Sequence, residues 1–224
     1  MNTSTFRRPF ITLKLATSLD GKIALANGQS EWITGERSRA QGRQLRAEHD
    51  AIAVGANTAL LDNPQLTTRI PGRPDPQRVI FDSRLRLSPD SNLAKTARDI
   101  PVLLFHDRTH SAQGHTLSDL GVFLLPVAKT DQGLDIAEAL TVLRNRGIET
   151  LLVEGGGTLA ASFLRQGVVD RIDWFRAPII LGGDGRNAVG TLGLEAMTDV
   201  FRLPRVHLSE LGDDIYERYQ KLEA

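Results

Sequence analysis

The chain has 224 residues, 41% hydrophobic and 24% charged, which suits one globular unit, although length alone would accommodate two. Its 27 Lys and Arg balance 27 Asp and Glu, so no overall field draws it to nucleic acid or to an anionic membrane. With no cysteine there is no disulfide framework, thiolate zinc site, iron–sulfur cluster or cysteine nucleophile. The first nine residues are polar and basic without an apolar stretch behind them, and no apolar run approaches the roughly 18 residues of a membrane span. A cytoplasmic protein is the expectation.

Short β-branched runs alternate with helical stretches, the pattern of strands joined by crossover helices in a largely parallel sheet. Strands are expected over residues 10–17, 51–55, 78–81, 102–105, 122–126, 150–154, 171–177 and 178–181. A polar stretch over 34–49 reads as a surface helix with one side open to ligands. The Pro-rich segment 64–76 reads as a loop, and 105–116 as another. Residues 134–146 place Ile136, Leu140 and Leu143 near one helix face and stop at Gly147, a residue type that accepts the left-handed conformation past a helix end. The last two runs, 205–210 and 215–221, flank Leu211-Gly212-Asp213-Asp214 and read as an antiparallel hairpin at the sheet edge. The fold class expected is therefore α/β, parallel inside and antiparallel at the end.

Three segments could carry chemistry. In the first, the apolar run 151–153 meets Glu154, then Gly155-Gly156-Gly157, then a helix, so backbone N–H groups and a helix N-terminus would face whatever lies above the strand end. That arrangement suits a nucleotide pyrophosphate; it also suits a tight turn that needs small residues, and the match to G-x-G-x-x-A over 155–160 is a weak signal. Glu154 stands at the carboxyl end of its strand, where open α/β sheets place ligands. In the second segment, the strand 51–55 runs through Gly55 into a short helix that Pro64 ends, bringing Asp62 to the same edge if both strands are central. Asp62 could share acid and base roles with Glu154, or serve only its own turn. The third puts Lys14 inside an apolar strand, either at an edge facing water or facing a cleft, where it could hold phosphate or hydroxyl groups or donate a proton. Arg46 and Arg69 could clamp a phosphate by bidentate contacts. His106 and His110 lie four apart in a segment read as loop, with no carboxylate pattern to complete a metal site, so no metal is expected; no G-x-S-x-G elbow exists either.

Taken together, residues 10–33 (with Leu15-Ala16-Thr17-Ser18-Leu19-Asp20-Gly21-Lys22 and Ser30-Glu31-Trp32-Ile33-Thr34), 45–69 and 153–183 resemble the reductase domain of riboflavin biosynthesis. The resemblance covers nearly the whole chain. It implies a three-layer dihydrofolate-reductase-like fold formed by residues 1–224 as a single domain, with an ordered core over about 9–222. It further implies an NADPH-dependent reductase that converts the ribosyl side chain of 5-amino-6-(5-phosphoribosylamino)uracil to ribityl. Cofactor positions carried over by the motifs are Ala16, Trp32, Thr58, Asp62 and Ser83, with Gly156, Gly157, Thr158, Leu159, Ala160, Ala161 and Ser162 of the glycine turn. Substrate positions are Ser30, Arg46, Leu66, Arg69 and Glu154, and Lys14, Asp62 and Glu154 are the catalytic set. Ser83 with Arg84 would meet the 2′-phosphate of NADPH, whereas Asp82 would favour the free ribose hydroxyls of NADH. A homodimer formed through the C-terminal part of the sheet is also implied.

In many bacteria this reductase is fused to a zinc deaminase with a His/Cys/Cys site. A chain without cysteine, and with no N-terminal extension to house one, is expected to be a stand-alone form. Two other readings stay open. One is a reductase of another heterocycle such as a pterin or folate, which has no ribose phosphate for Arg46 and Arg69 to clamp. The other is a nucleotide-binding protein without catalysis, which need not keep Lys14, Asp62 and Glu154.

Overall fold

The computed structural model describes residues 8–31 and 33–222. In chain order the strands are β1 (Phe10–Thr17), β2 (Lys22–Ala24), β3 (Ala51–Gly55), β4 (Gln77–Phe81), β5 (Val102–Asp107), β6 (Phe123–Val127), β7 (Lys129–Thr130), β8 (Gly133–Leu134), β9 (Thr150–Gly155), β10 (Arg171–Arg176), β11 (Arg186–Asn187), β12 (Arg205–Leu211) and β13 (Asp214–Gln220). The helices are α1 (Glu36–Ala47), α2 (Ala56–Asp62), α3 (Asn92–Lys95), α4 (His115–Asp119), α5 (Ile136–Asn145) and α6 (Gly157–Arg165). Nine strands form one sheet in the order β12-β13-β10-β1-β9-β3-β4-β5-β6. From β10 to β6 every neighbouring pair is parallel, and the C-terminal hairpin β12–β13 joins β10 antiparallel. The expected mostly parallel sheet with an antiparallel end is therefore present.

Alternation along the strands sorts the core onto two faces. Ile11, Leu13, Ala51, Ala53, Leu151 and Val153 point toward α5 and α6, which contribute Ile136, Leu140, Leu143 and Phe163. On the other face Ile52, Val54, Ile80 and Leu104 pack under Leu93, Ala94 and Leu117 of α3 and α4. Beside them Leu45 of α1 meets Leu152, Phe175 and Tyr216. Three layers result, and β3 and β5, buried on both faces, carry the uninterrupted apolar runs of interior parallel strands.

Two sequence expectations fail here. Residues 178–181 form no strand: Pro178 has no N–H to give, and the backbone donors that follow go to one side chain. Leu181 and Gly182 N–H donate to Asp20 at 3.1 and 2.8 Å, while Leu19 N–H donates to Ile179 O. The Ser18 hydroxyl, followed by these N–H groups, lowers the Asp20 carboxyl to about 2. Residues 105–116 are not a loop either. β5 runs on to Asp107, a 3₁₀ turn follows over Arg108–Gln113, and α4 starts at His115. His106 is buried with Nδ1 against Asp107 O, and His110 Nδ1 lies 4.0 Å from the Asp107 carboxylate.

The long polar helix α1 has no side-chain cap from its own N-terminal residues. Its cap comes from the far end of the chain. Asp214, buried at the start of β13, accepts from Gly35 N–H at 2.7 Å and from the Ser38 hydroxyl at 2.5 Å. Asp214→Ala orphans both donors and is expected to lower unfolding free energy by about 1–2 kcal/mol in urea titrations. Asp214→Asn, which keeps an acceptor, should recover much of that loss.

Candidate functional site

A cleft opens outside the carboxyl ends of β1, β9, β3 and β4, where an open parallel sheet offers strand ends and helix N-termini to a ligand. It has two lobes. The larger, about 700 Å³, is lined by Ala16, Thr58, Asp62, Ser83, Arg86, the glycine turn and Arg186. The smaller, about 360 Å³, lies under α1 and is lined by Thr34, Ser38, Arg39, Arg43, Arg46 and Arg69. Lys14, Ala16, Ile23, Ser30 and Glu154 line both lobes and so mark the junction.

Lys14 reaches the junction because β1 alternates. Leu13 and Leu15 enter the core on one face, which leaves Thr12, Lys14 and Ala16 beneath α1. Gly42 of α1 leaves room above Lys14: a Cβ there would sit 3.8 Å from the lysine Cε. The ammonium lies 5.7 Å from the Phe175 ring centre, a cation–π contact. Burial lowers the pKa of Lys14; Glu154 opposes that shift and Arg46 reinforces it.

Glu154 is aimed by a bulge. Ala53 pairs with Val153 but Val54 pairs with Gly155, so Glu154 is the extra residue in β9 at the lip of the cleft. Its carboxylate accepts two hydrogen bonds from Arg46, Nε to Oε1 at 2.8 Å and Nη2 to Oε2 at 2.7 Å. Arg46 Nη1 donates to Thr67 O at 2.9 Å. Burial alone would raise the Glu154 pKa, but the charge and hydrogen bonds of Arg46, and then Lys14, outweigh it and hold the carboxyl below its ordinary value. Glu154 is thus a fixed anion between two cations. Asp62 behaves in the opposite sense, its pKa raised by partial burial against a smaller pull from Arg186.

The glycine turn has two functions. A Cβ on Gly157 would fall 2.4 Å from Asn187 O, and one on Gly155 would fall 3.0 Å from Val54 Cγ1, so these two are small because of close packing. Gly156, at φ +80°, turns the chain from β9 into α6, whose first turn has no side-chain cap and lines the larger lobe.

Among the sequence-selected residues, Lys14, Ala16, Ser30, Arg46, Thr58, Asp62, Arg69, Ser83, Glu154, Gly156, Gly157, Thr158, Leu159, Ala160 and Ser162 line this cleft. Two do not. Leu66 is 4% exposed in the core with φ +58°, anchoring the loop that carries Arg69. Ala161 is buried behind the turn, its methyl facing Gly190. Trp32 lies outside the described residues. The expectations for Asp82 and Arg84 are also corrected. Asp82 is buried and its carboxylate accepts from the N–H groups of Arg86 and Leu87, so it faces no ribose. Arg86, two residues further on, supplies the cation beside Ser83 in the lobe, where Arg84 was expected. Arg43 and Arg186, which sequence reasoning passed over, also line the cleft; Arg43 could have been found by its spacing of four from Arg39 and three from Arg46 on one helix face.

An open α/β sheet with a two-lobed cleft at its strand ends, one lobe meeting a helix N-terminus and the other rich in arginine, is an architecture suited to anionic ligands. The RibD C-terminal domain model matches residues 9–216, and the chain belongs to that family. It is 37% identical over 216 residues to the 2,5-diamino-6-ribosylamino-4(3H)-pyrimidinone 5′-phosphate reductase of Methanothermobacter thermautotrophicus, covering 95% of this chain and 98% of that protein. It is 34% identical over 214 residues to the riboflavin biosynthesis protein RibD of Actinobacillus pleuropneumoniae, covering 95% of this chain and 57% of the relative. The chain thus spans a little over half the length of such RibD relatives. Among solved structures, RibD of Acinetobacter baumannii superposes with a TM-score of 0.82 at 30% identity, over 97% of this chain and 58% of that one.

Two outcomes follow from the geometry. Gly157→Ala should destabilise the fold by about 1–3 kcal/mol in ligand-free thermal or urea unfolding, because the new methyl meets backbone. Glu154→Gln leaves Arg46 and Lys14 without their counter-ion and should cost roughly 3 kcal/mol at neutral pH. Since the native Glu154 pKa lies below its ordinary 4.5, its contribution is full above that value and is lost as pH falls through the native one. The stability gap between wild type and Glu154→Gln should therefore close on acidification; a gap independent of pH would contradict a charged Glu154.

Proposed function

We propose that this chain is an NADPH-dependent reductase, a single domain acting on a 5-amino-6-(phosphoribosylamino)pyrimidine and converting its ribosyl chain to ribityl in riboflavin biosynthesis. One observation carries the reading: the two lobes meet where Lys14 and Glu154 stand side by side, with a glycine turn on one side and arginines on the other. The larger lobe fits an anionic dinucleotide through the uncapped first turn of α6, Ser83, Arg86 and Arg186. Thr58 and Asp62 on α2 add polar contacts at its rim. A pterin or folate would leave the arginines of the smaller lobe without a phosphate to meet.

When bound, the reduced nicotinamide supplies a hydride to C1′ of the ring-opened sugar imine. As that carbon is reduced, the imine nitrogen must gain a proton. Lys14 Nζ–H is the donor at the junction, and its lowered pKa eases proton release. Glu154, held anionic by Arg46, accepts hydrogen bonds from sugar hydroxyls and orients Lys14. We also assign Asp62, which lines the larger lobe, to the catalytic set. The methanogen relative is named for the diaminopyrimidinone, which favours a second substrate reading in which reduction precedes deamination.

NADPH oxidation by the purified protein, offered the deaminated uracil and the undeaminated pyrimidinone in parallel, tests the reading. Turnover with one of them is expected; tight NADPH binding with no turnover of either would overturn it. Glu154→Gln and Asp62→Asn should each lower turnover with little loss of cofactor binding. Lys14→Met should lower kcat by about 100-fold or more. Wild-type rate should decline on the alkaline side at a pH below the 10.5 of an ordinary lysine.

We further propose a cytoplasmic homodimer. No helix among the described residues is long and apolar enough to cross a membrane. β12 lies at the sheet edge with Val206 and Leu208 exposed, which supports pairing through the C-terminal part of the sheet. Light scattering giving a monomer mass would contradict the dimer.

A further inference from the structure

Among the described residues Lys14 is the one lysine that lines the cleft, and it lines both lobes. Its Nζ donates no hydrogen bond to any described residue; its nearest aromatic neighbour is the Phe175 ring, 5.7 Å away. The other lysines are placed differently. Lys22 donates to Asn187 Oδ1 at 2.6 Å, Lys95 pairs with Asp90, Lys221 donates to Gly167 O, and Lys129 is exposed on β7. Burial is the largest influence on Lys14 and lowers its pKa from 10.5, with Arg46 acting in the same sense. A lysine desolvated beside a second cation keeps a free electron pair at neutral pH more often than a surface lysine does, and so becomes a nucleophile toward carbonyl carbon.

The surroundings of Nζ select the electrophile. Gly42 leaves space over the lysine chain, since even a Cβ there would stand 3.8 Å from Cε. The smaller lobe that opens from Lys14 carries Arg39, Arg43 and Arg69 besides Arg46, so it favours a chain with an anionic end. Glu154 lies at the same junction as an anion fixed by Arg46, and it offsets the charge of an iminium as it offsets that of the ammonium. A short polar chain with an aldehyde at one end and a phosphate at the other meets all three conditions. Open-chain aldose phosphates are that class of molecule.

We infer that Lys14 is a site of reversible covalent capture for open-chain aldose phosphates, which it holds as an imine. The Nζ electron pair adds to the aldehyde carbon while the carbonyl π pair moves to oxygen, and one Nζ proton passes to that oxygen to give a carbinolamine. Departure of the hydroxyl with the second Nζ proton, as water, leaves the C=N bond; nothing is oxidised or reduced, and water reverses the step. The inference goes beyond the reductase reading and stands without it. That reading adds a source, because hydrolysis of a ring-opened sugar imine at C1′ releases an amine and an aldose phosphate within the same cleft. The captured aldose then takes the place of substrate and withholds Lys14 from proton transfer.

Incubation of the purified full chain with ribose 5-phosphate and sodium cyanoborohydride, which reduces imines as they form, tests the capture by intact mass and peptide mapping. The expected product is one adduct per chain on Lys14, heavier by ribose 5-phosphate less one oxygen atom. It should form at least about tenfold faster than adducts on exposed Lys95 and Lys129. With unphosphorylated ribose the preference for Lys14 over Lys129 should fall by about tenfold, as expected for a lost charge-assisted contact. Lys14→Arg, which keeps the charge and forms no imine, should give no adduct at position 14 and leave labelling of the other lysines unchanged. Without cyanoborohydride, ribose 5-phosphate should inhibit turnover slowly and dilution should restore it; with cyanoborohydride the inhibition should persist. Labelling of Lys14 at the rate of Lys129, or the same preference with ribose as with ribose 5-phosphate, would overturn the inference. An adduct on Lys14 in a protein that reduces neither pyrimidine would overturn the reductase reading and leave the capture standing; turnover of a pyrimidine without a Lys14 adduct would do the reverse.

Discussion

The bidentate pair between Arg46 and Glu154 joins the surface helix α1 to the middle of the sheet, and the rest of the site depends on it. Glu154 belongs to β9, which lies between β1 and β3 and has little freedom to move. Arg46 belongs to a helix that packs on the sheet mainly through Ser38, Gly42 and Leu45. Burying such a pair gives up hydration of both ions, and that loss is repaid only when geometry is good and remaining donors are met. Here Thr67 O meets the last guanidinium nitrogen. The same carboxylate lets a lysine stand in an apolar strand. Without an anion beside it, Lys14 would face both desolvation and the repulsion of Arg46.

Much of the fold was legible because interior parallel strands are simple sequences. β3 is a continuous apolar run ended by glycine and β1 an apolar strand interrupted by Thr12 and Lys14, and both are legible with their observed bounds. The hairpin β12–β13 announced itself through alternation around Gly212-Asp213. Residues 178–181 misled for the same reason that the true strands were found. Two isoleucines after a proline satisfy a propensity rule, while nothing in the local sequence tells that Asp20, some 160 residues earlier, takes the backbone donors.

The site was legible at the level of which segments meet, less so at the level of which side chains face the cleft. After β4, Ser83 lines the lobe as expected, but Asp82 turns to the backbone N–H groups of Arg86 and Leu87 and the cation beside Ser83 is Arg86 in place of Arg84; periodicity carries no information about such a turn. Leu66 was carried over as a substrate residue, but its position shows how a core side chain can matter to a site by holding the loop beside it. The bulge that aims Glu154 likewise has no sequence mark, since three glycines next to a carboxylate suit either a ligand cradle or close backbone packing. In this protein Gly155 and Gly157 are packing residues and Gly156 is the turn.

The cap on α1 has a consequence for the order in which the molecule is made. The helix over Glu36–Ala47 waits for an acceptor at position 214, and β1, the first strand, waits for β10 as a neighbour. A ribosome releasing this chain from its N-terminus presents the arginine-bearing helix long before its anchor exists. Closing contacts across nearly the whole sequence is slow relative to local ones. Translation that stops short of β13 leaves α1 without the acceptor for Gly35 N–H and the Ser38 hydroxyl, so that the helix above the smaller lobe is held by Arg46 and Glu154 without its cap.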